Sequence, residues 1–128
     1  MNLLLDTHTT LWYLQDSPNL SSSMGEILEE TEHKLYLSIA SLWEIAIKCG
    51  LGKLDLDYSF QDFPDLLMHF DIKILPITFE DTRCYLTLPL HHRDPFDRML
   101  IAQAIHRSYL LVSQDVMLDA YPIQRLWK

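Results

Sequence analysis

Four acidic residues lie where short apolar segments end or where apolar helices are predicted. Asp6 directly follows the apolar run Leu3–Leu5, and Asp115 comes soon after a second such run. If both runs are strands of one parallel sheet, the two carboxylates project from the same edge of that sheet. Glu44 and Asp97 lie in segments whose apolar residues predict buried helices. These four residues are therefore the main candidates for a functional site.

Bringing four carboxylates together has a large electrostatic cost. Two unit charges ~4 Å apart repel by about 4 kcal/mol even at an effective dielectric constant of about 20. If the four groups converge, protons or a bound cation must relieve that repulsion. Hard oxygen ligands without a Cys or His cluster favour Mg²⁺ or Mn²⁺, and these ions also bind phosphate oxygens. The set therefore indicates phosphoryl chemistry.

Each carboxylate also has a local structural explanation. Asp6 and Asp115 are favoured N-cap residues for short helices that would follow them. Glu44 fits a capping box with Ser41, and it precedes Lys48 by the spacing of a helical ion pair. Taken singly, each structural role explains its residue, so the functional interpretation depends on the whole set.

The segment Asp94-Pro95-Phe96-Asp97-Arg98 predicts the start of a helix. Asp94 suits the N-cap and Pro95 the first helical position, while Asp97 falls in the first turn, where the helix dipole favours negative charge. Arg98 can pair with Asp94 along the helix or bind a phosphate. Asp94 and Arg98 are secondary site candidates.

Strands and helices alternate along the chain. Apolar runs predict strands at Leu3–Leu5, Ile72–Leu75 and Leu110–Val112, with a weaker one at Leu35–Leu37. Helices are predicted at Ser21–Glu32, Ile39–Cys49, Gln61–Phe70, Phe79–Leu86 and Pro95–Arg107. Because right-handed crossovers cover a parallel sheet on both faces, the predicted fold is a three-layer α/β/α sandwich with a central parallel sheet. The Ile39–Cys49 helix is apolar nearly all round, so we expect it to be mostly buried except for a polar strip of Glu44 and Lys48.

Length, composition and charge limit the number of domains and the classes of protein to which the chain can belong. The chain has 128 residues, interpreted as one domain over 1–128, with 48% apolar residues and a net charge of −8. It has no run of basic residues that could bind a phosphate backbone by charge alone. This excludes a protein that coats nucleic acid non-specifically. Cys49 and Cys84 cannot form a disulfide framework, and no leader or membrane-spanning segment is predicted. We therefore expect a cytoplasmic protein that contacts no membrane.

Other candidate side chains are assigned structural roles. The adjacent His91 and His92 do not point to one centre, so we interpret them as surface or loop residues. Trp12 and Trp43 can stack on RNA bases, but aromatic residues among Leu and Ile more often belong to a core or an interface.

Four blocks of the sequence carry a resemblance to a known family. They are Leu3–His8, Ser38–Lys48, His92–Ala104 and Leu111–Asp115. Together they resemble the PIN domain, and more narrowly the VapC-type toxins of bacterial toxin–antitoxin pairs, across essentially the whole chain. The most specific part is the Asp-Pro-Phe-Asp-Arg segment at 94–98.

This resemblance implies a PIN-like fold and a metal-dependent endoribonuclease. Its acidic ligands would be Asp6, Glu44, Asp97 and Asp115. They would hold Mg²⁺ (or Mn²⁺), which activates a water for attack on an RNA phosphodiester. Thr7 and Ser113 are secondary candidates that support the metal shell or hold a phosphate, although a hydroxyl after a strand also serves as a local cap. The implied partners are an RNA substrate, a small cognate antitoxin and a second copy of the chain in a homodimer.

Two other functions fit parts of the sequence. A haloacid-dehalogenase-like phosphatase also has an Asp after its first strand, but its second Asp, two residues later, is replaced here by His8. A catalytically silent module would instead hold a basic peptide in the acidic cleft. The presence of all four carboxylates favours the nuclease.

Overall fold

The computed structural model describes residues 1–128 and contains one five-stranded sheet with helices on both faces. The strands are β1 (Asn2–Leu5), β2 (Lys34–Ser38), β3 (Ile72–Leu75), β4 (Leu110–Val112) and β5 (Arg125–Leu126). The helices are α1 (Thr7–Leu14), α2 (Ser22–Glu29), α3 (Ile39–Gly50), α4 (Phe63–His69), α5 (Phe79–Thr87) and α6 (Pro95–Arg107). Short 3₁₀ segments lie at Phe60–Asp62 and Val116–Ala120. The predicted α/β/α sandwich is confirmed.

All neighbouring strands run parallel, in the order β3-β2-β1-β4-β5. The chain moves outward from β1 to β3 and then returns to add β4 and β5 on the other side of β1. Leu5 is level with Val112, so β1 and β4 end at the same height. The loops that leave these two strands diverge, which makes the β1–β4 junction the switch point of the sheet and the expected place for a crevice.

The alternation of side chains along β1 divides the core between the two faces of the sheet. Leu3 and Leu5 pack with residues of α1, α2 and α4, whereas Leu4 packs with residues of α6. All three leucines are fully buried. Complete burial stabilises the fold by about 1.5–3 kcal/mol per leucine side chain. The buried centre of the sheet therefore gives a rigid attachment point for Asp6, the residue that follows β1.

A buried ionic network joins α5 to α6. The Asp81 side chain has no exposed surface, and its carboxylate accepts hydrogen bonds from Arg107 and from Gln103 Nε2 at 3.2 Å. The Thr78 amide and His106 Nδ1 contact the same carboxylate at 2.9 and 3.0 Å. Burial alone would raise the pKa of Asp81, but these bonds, that of Arg107 foremost, hold it well below its usual range. The charged network fixes how α6 lies against α5.

Helix α3 buries a different face from the one expected. Its buried side chains include Glu44, whereas Ile39, Trp43 and Ile47 are exposed, Trp43 to 62%. The expectation of a mostly buried helix is therefore wrong. The buried face consists of Ala40, Ser41, Glu44 and Ile45, and on it the Glu44 carboxylate accepts a hydrogen bond from the Thr7 hydroxyl, while an apolar stripe stays outside.

Other differences from the predictions are local. The N-cap of α3 is Ser38, whose hydroxyl accepts the Ala40 amide at 3.0 Å, so the predicted capping box between Ser41 and Glu44 is not formed. Strand β5 was not predictable from an apolar run because it has only two residues. Helix α2 ends at Glu29, earlier than expected. None of the helices combines the length and the apolar character needed to cross a bilayer.

Candidate active site

Asp6 stands at the end of β1, at the switch point of the sheet. Its amide donates to the Val112 carbonyl at 3.1 Å, which extends the β1–β4 pairing by one residue. Its Oδ1 accepts the Thr9 amide at 2.8 Å, so Asp6 is also the N-cap of α1. The capping role uses one carboxylate oxygen and leaves Oδ2 for a ligand.

Glu44 reaches the same edge of the sheet from α3. The Thr7 hydroxyl donates to its Oε1 at 2.7 Å, and Lys48 Nζ lies 3.0 Å from its Oε2. The helical ion pair predicted with Lys48 is therefore present. Because Thr7 is the residue after Asp6, its hydrogen bond ties the positions of the two carboxylates together.

The start of α6 brings in two further carboxylates with different surroundings. Asp94 Oδ1 accepts the amides of Phe96 at 2.8 Å and Asp97 at 3.1 Å, so Asp94 is the N-cap of the helix, as predicted. The Asp97 side chain takes no part in capping. Its Oδ2 lies 3.3 Å from His92 Nε2. Asp97 is thus the carboxylate that α6 presents to the other candidate residues.

Asp115 follows β4 and is positioned by the backbone around it. The buried Ser113 hydroxyl accepts the Asp115 amide at 3.1 Å, which makes Ser113 a local cap. Asp115 Oδ1 accepts the Met117 amide at 3.0 Å, and its Oδ2 lies 3.7 Å from His92 Nε2. Asp115 thus caps a 3₁₀ segment and still faces the cluster.

The electrostatics of Asp97 reflect the concentration of negative charge at this edge. Burial raises the pKa of Asp97 to about 7, and the carboxylate of Asp94 contributes to the increase. His92 opposes it, while Glu44 and Asp6 raise it further. Asp115 joins the group because one of its carboxylate oxygens, one of those of Asp97 and a ring nitrogen of His92 all lie within 4.8 Å of one another. The structure therefore brings all four predicted carboxylates to one end of the sheet.

His92 is the member of this cluster that sequence reasoning missed. Its Nδ1 accepts the Asp94 amide at 3.1 Å. A nitrogen that accepts a hydrogen bond carries no proton, so the neutral ring has its proton on Nε2, the atom that faces Asp97 and Asp115. His92 is therefore in electrostatic contact with both carboxylates, at 3.3 Å from Asp97 and 3.7 Å from Asp115. The sequence did contain one indication of this role. His92 lies two residues before the N-cap Asp94, and from that position a side chain can accept a hydrogen bond from the N-cap amide.

Arg98, in contrast, lies outside the cluster. Its guanidinium donates to the carbonyls of Pro89 at 3.0 Å and His92 at 3.3 Å, and to the Tyr121 hydroxyl at 3.2 Å. The ion pair predicted with Asp94 is not formed, because these bonds engage the guanidinium. Arg98 therefore fixes the loop that enters α6, and its role in phosphate binding stays a prediction.

The donor set fits a hard divalent cation. Mg²⁺ and Mn²⁺ bind carboxylate oxygens, and the site offers them from Asp6, Glu44, Asp97 and Asp115. Only one lysine, Lys48, pairs with any of these groups. The pKa of Asp97 is raised mainly by burial and further by the carboxylates of Asp94, Glu44 and Asp6, so the protein does not fully offset the cost of charging this group. A cation is the component that would balance this charge.

Replacing Asp97 with Asn should stabilise the metal-free protein, and by more at pH 8 than at pH 5. The carboxyl loses its proton at about pH 4 in an unfolded chain but at about pH 7 in the folded one. Wild-type stability should therefore fall as pH rises through this window and level off above it. The neutral amide lacks this dependence, which thermal melting in EDTA across pH 4–9 measures.

Asp94→Ala is the matched control, because it removes the neighbouring carboxylate together with a helix cap. It should lower the free energy of unfolding by about 0.5–2 kcal/mol. An Asp97→Asn protein that melts below wild type at pH 8 would contradict the electrostatic interpretation.

Comparisons with known proteins support the same fold. Residues 3–123 match the family model of the PIN domain. A search of curated proteins gives no significant match. Among solved structures, VapBC2 from Rickettsia felis bound to a DNA fragment from its promoter contains a chain with a TM-score of 0.72 and 17% identity, covering 98% of each chain.

Two further structures show the same likeness. A chain of FitAcB from Neisseria gonorrhoeae gives a TM-score of 0.68 at 17% identity over 98% of this chain and 96% of that one. A chain of VapBC-1 from nontypeable Haemophilus influenzae gives a TM-score of 0.63 at 16% identity, over 98% of this chain and 97% of that one. At these identities the likeness shows a shared fold, while the family model covers nearly the whole sequence. The chain belongs to the PIN domain family of nucleases.

Proposed function

We propose that residues 1–128 form a single PIN domain that acts in the cytoplasm as a divalent-metal-dependent endoribonuclease, the toxin of a toxin–antitoxin pair. The observation that carries the proposal is the meeting of Asp6, Glu44, Asp97 and Asp115 at the switch point of a parallel sheet. The raised pKa of Asp97 supports it, because a bound cation would favour the charged form of a carboxyl that is only partly ionised near pH 7 without one.

The chain's own residues prepare this site in distinct ways. Asp6, Glu44, Asp97 and Asp115 would hold Mg²⁺ or Mn²⁺, which when bound lowers the pKa of water and neutralises charge on the phosphate. Thr7 orients Glu44, and Ser113 positions the backbone of Asp115. His92 Nε2 lies 3.3 Å from Asp97 Oδ2 and 3.7 Å from Asp115 Oδ2, and its proximity lowers the pKa of Asp97. Asp97 is the group that releases a proton when a cation is taken up.

RNA cleavage by the purified protein should depend on a divalent cation. Excess EDTA should abolish cleavage of single-stranded RNA, and added Mg²⁺ or Mn²⁺ should restore it. Asp97→Asn should reduce the initial rate by orders of magnitude, because the amide keeps the shape of the side chain but not its charge. The measurement is the initial cleavage rate in Mn²⁺ at a temperature where all variants are folded.

Asp94→Ala provides the control, since its side chain caps α6 and lies only three residues away. It should retain most of the cleavage rate despite its lower stability. Cleavage that persists in chelator would contradict metal dependence. An inactive, fully folded Asp94→Ala beside an active Asp97→Asn would show that the wrong carboxylate of α6 has been assigned. No cleavage by any variant, together with tight binding of a basic peptide, would favour the silent binding module.

The toxin assignment rests on the resemblance to VapC-type toxins and on the fold shared with chains of VapBC and FitAcB. The net charge of −8 also suits a basic antitoxin segment better than it suits free RNA. We therefore propose that a small antitoxin covers the acidic site.

Expression of the wild-type chain alone should arrest bacterial growth, and co-expression of its neighbouring small protein should restore it. Asp97→Asn, produced at the same level, should be harmless, because the toxicity would come from cleavage. Growth curves with matched protein levels measure this. A folded wild-type protein that leaves growth unchanged would contradict the toxin role.

A second copy of the chain is our proposal for what covers the apolar stripe of α3. The stripe consists of Ile39, Trp43, Ile47 and Leu51, spaced four apart and all exposed. It borders an apolar groove of about 270 Å³ lined in part by Tyr85, Phe96 and Met99. An exposed apolar surface of this kind is typical of an interface.

Light scattering should therefore report a dimer for the wild-type chain, and Ile47→Glu should convert it to a monomer by placing a charge in the interface. Met68→Glu is the control, because Met68 is an exposed apolar residue on α4, outside the stripe. A monomeric wild-type protein at micromolar concentrations would contradict the homodimer, as would equal dissociation by both variants.

A further inference from the structure

A cleft of about 420 Å³ opens beside two of the acidic residues. Its lining consists of Asp6, His8, Trp12, Gln114, Asp115 and Val116. The lining therefore combines carboxylates of the candidate active site with the rings of His8 and Trp12, here called the aromatic end of the cleft. A ligand that fills this cleft would lie across both kinds of surface.

The aromatic end is built by α1, the helix that Asp6 caps. His8 and Trp12 are one turn apart on the same face, and their rings are stacked with centroids 5.8 Å apart and planes at 20°. Trp127, which follows β5, packs edge-on against Trp12 at 6.2 Å and 63°. The Trp12 ring is thus supported from the C-terminal end of the chain while it lines the cleft.

The chemistry of the lining selects one kind of ligand. It contains no lysine or arginine, so no permanent positive charge attracts a phosphate group to the aromatic end. Planar rings that line a cleft instead favour a planar aromatic ligand. All nucleobases can stack on such side chains, because each of them has a flat aromatic face. The Gln114 amide at the same cleft offers both a donor and an acceptor for a base edge.

We propose that His8 and Trp12 form a stacking subsite for one nucleobase, adjacent to the phosphate that the carboxylate site would process. This inference rests on the proposed nuclease function for its biological meaning, but its chemistry can be tested without any cleavage. The subsite would place one base of a single-stranded RNA in a fixed position relative to Asp6 and Asp115. It would thereby select substrates with an unpaired base next to the scissile bond.

The test compares binding of adenosine 5′-monophosphate with binding of ribose 5-phosphate in Mg²⁺, followed by NMR. The chain has three tryptophans, so three indole N–H signals are expected, and Trp12→Phe identifies the one from Trp12. The nucleotide should shift that signal and bind roughly tenfold more tightly than the sugar phosphate, because only the nucleotide has a base to stack. Neither ligand contains a phosphodiester, so neither can be cleaved.

Variants separate stacking from a general loss of structure. Trp12→Ala and the more exposed His8→Ala should each reduce the preference for the nucleotide, and Trp12→Phe should keep most of it. Phe79→Ala is the matched control, because it removes an exposed aromatic ring that lies outside the cleft, and it should bind like wild type. Because His8 is exposed, its replacement keeps the test valid if Trp12→Ala does not fold.

Equal binding of the two ligands by wild type would overturn the subsite, as would a shift confined to the Trp43 indole. An undiminished preference in both His8→Ala and folded Trp12→Ala would overturn it too. A parallel assay of RNA cleavage keeps the two proposals apart. Nucleotide binding at Trp12 without RNA cleavage would contradict the nuclease and support the subsite. RNA cleavage together with equal binding of the nucleotide and the sugar phosphate would contradict only the subsite.

Discussion

Repulsion among carboxylates at one end of the sheet is the constraint on which the site depends. Like charges separate unless the fold holds them, and here each is held by a different element: β1, α3, α6 and the loop after β4. The hydrogen bonds that hold them are local, such as the Thr9 amide on Asp6 and the Thr7 hydroxyl on Glu44. Burial then prevents water from relieving the charge, which is expressed as the raised pKa of Asp97.

The same side chains perform structural and functional work together. Asp6 and Asp115 cap the segments that follow them, and Asp94 caps α6 while its charge raises the pKa of Asp97. The structural and functional interpretations of these residues are therefore not alternatives. A cap holds one carboxylate oxygen and, by doing so, orients the other.

The sequence predicted the sheet well because its central strands are short apolar runs buried on both faces. It predicted α6 well because the Asp94-Pro95 pair marks a helix start. It failed for α3, where apolar content indicates burial on all sides but the buried face includes Glu44, bonded to Thr7, and leaves Ile39, Trp43 and Ile47 exposed. It also passed over His92, whose role depends on a loop geometry that no pattern of spacing encodes. Convergence of the four carboxylates followed from topology only once the strand order was known.

The site has a rigid half and an adaptable half. Asp6 and Thr7 are buried and stand directly on a fully buried strand, so their side chains have little conformational freedom left to lose. The Asp115 side chain, in a loop after β4, is 42% exposed and His92 enters from another loop. Ordering an exposed side chain costs conformational entropy, so Asp115 and His92 bear more of that cost than Asp6 and Thr7. Asp6 and Thr7 therefore determine where a bound cation or phosphate lies. Asp115 and His92 determine how much the side chains of the site become ordered when it binds.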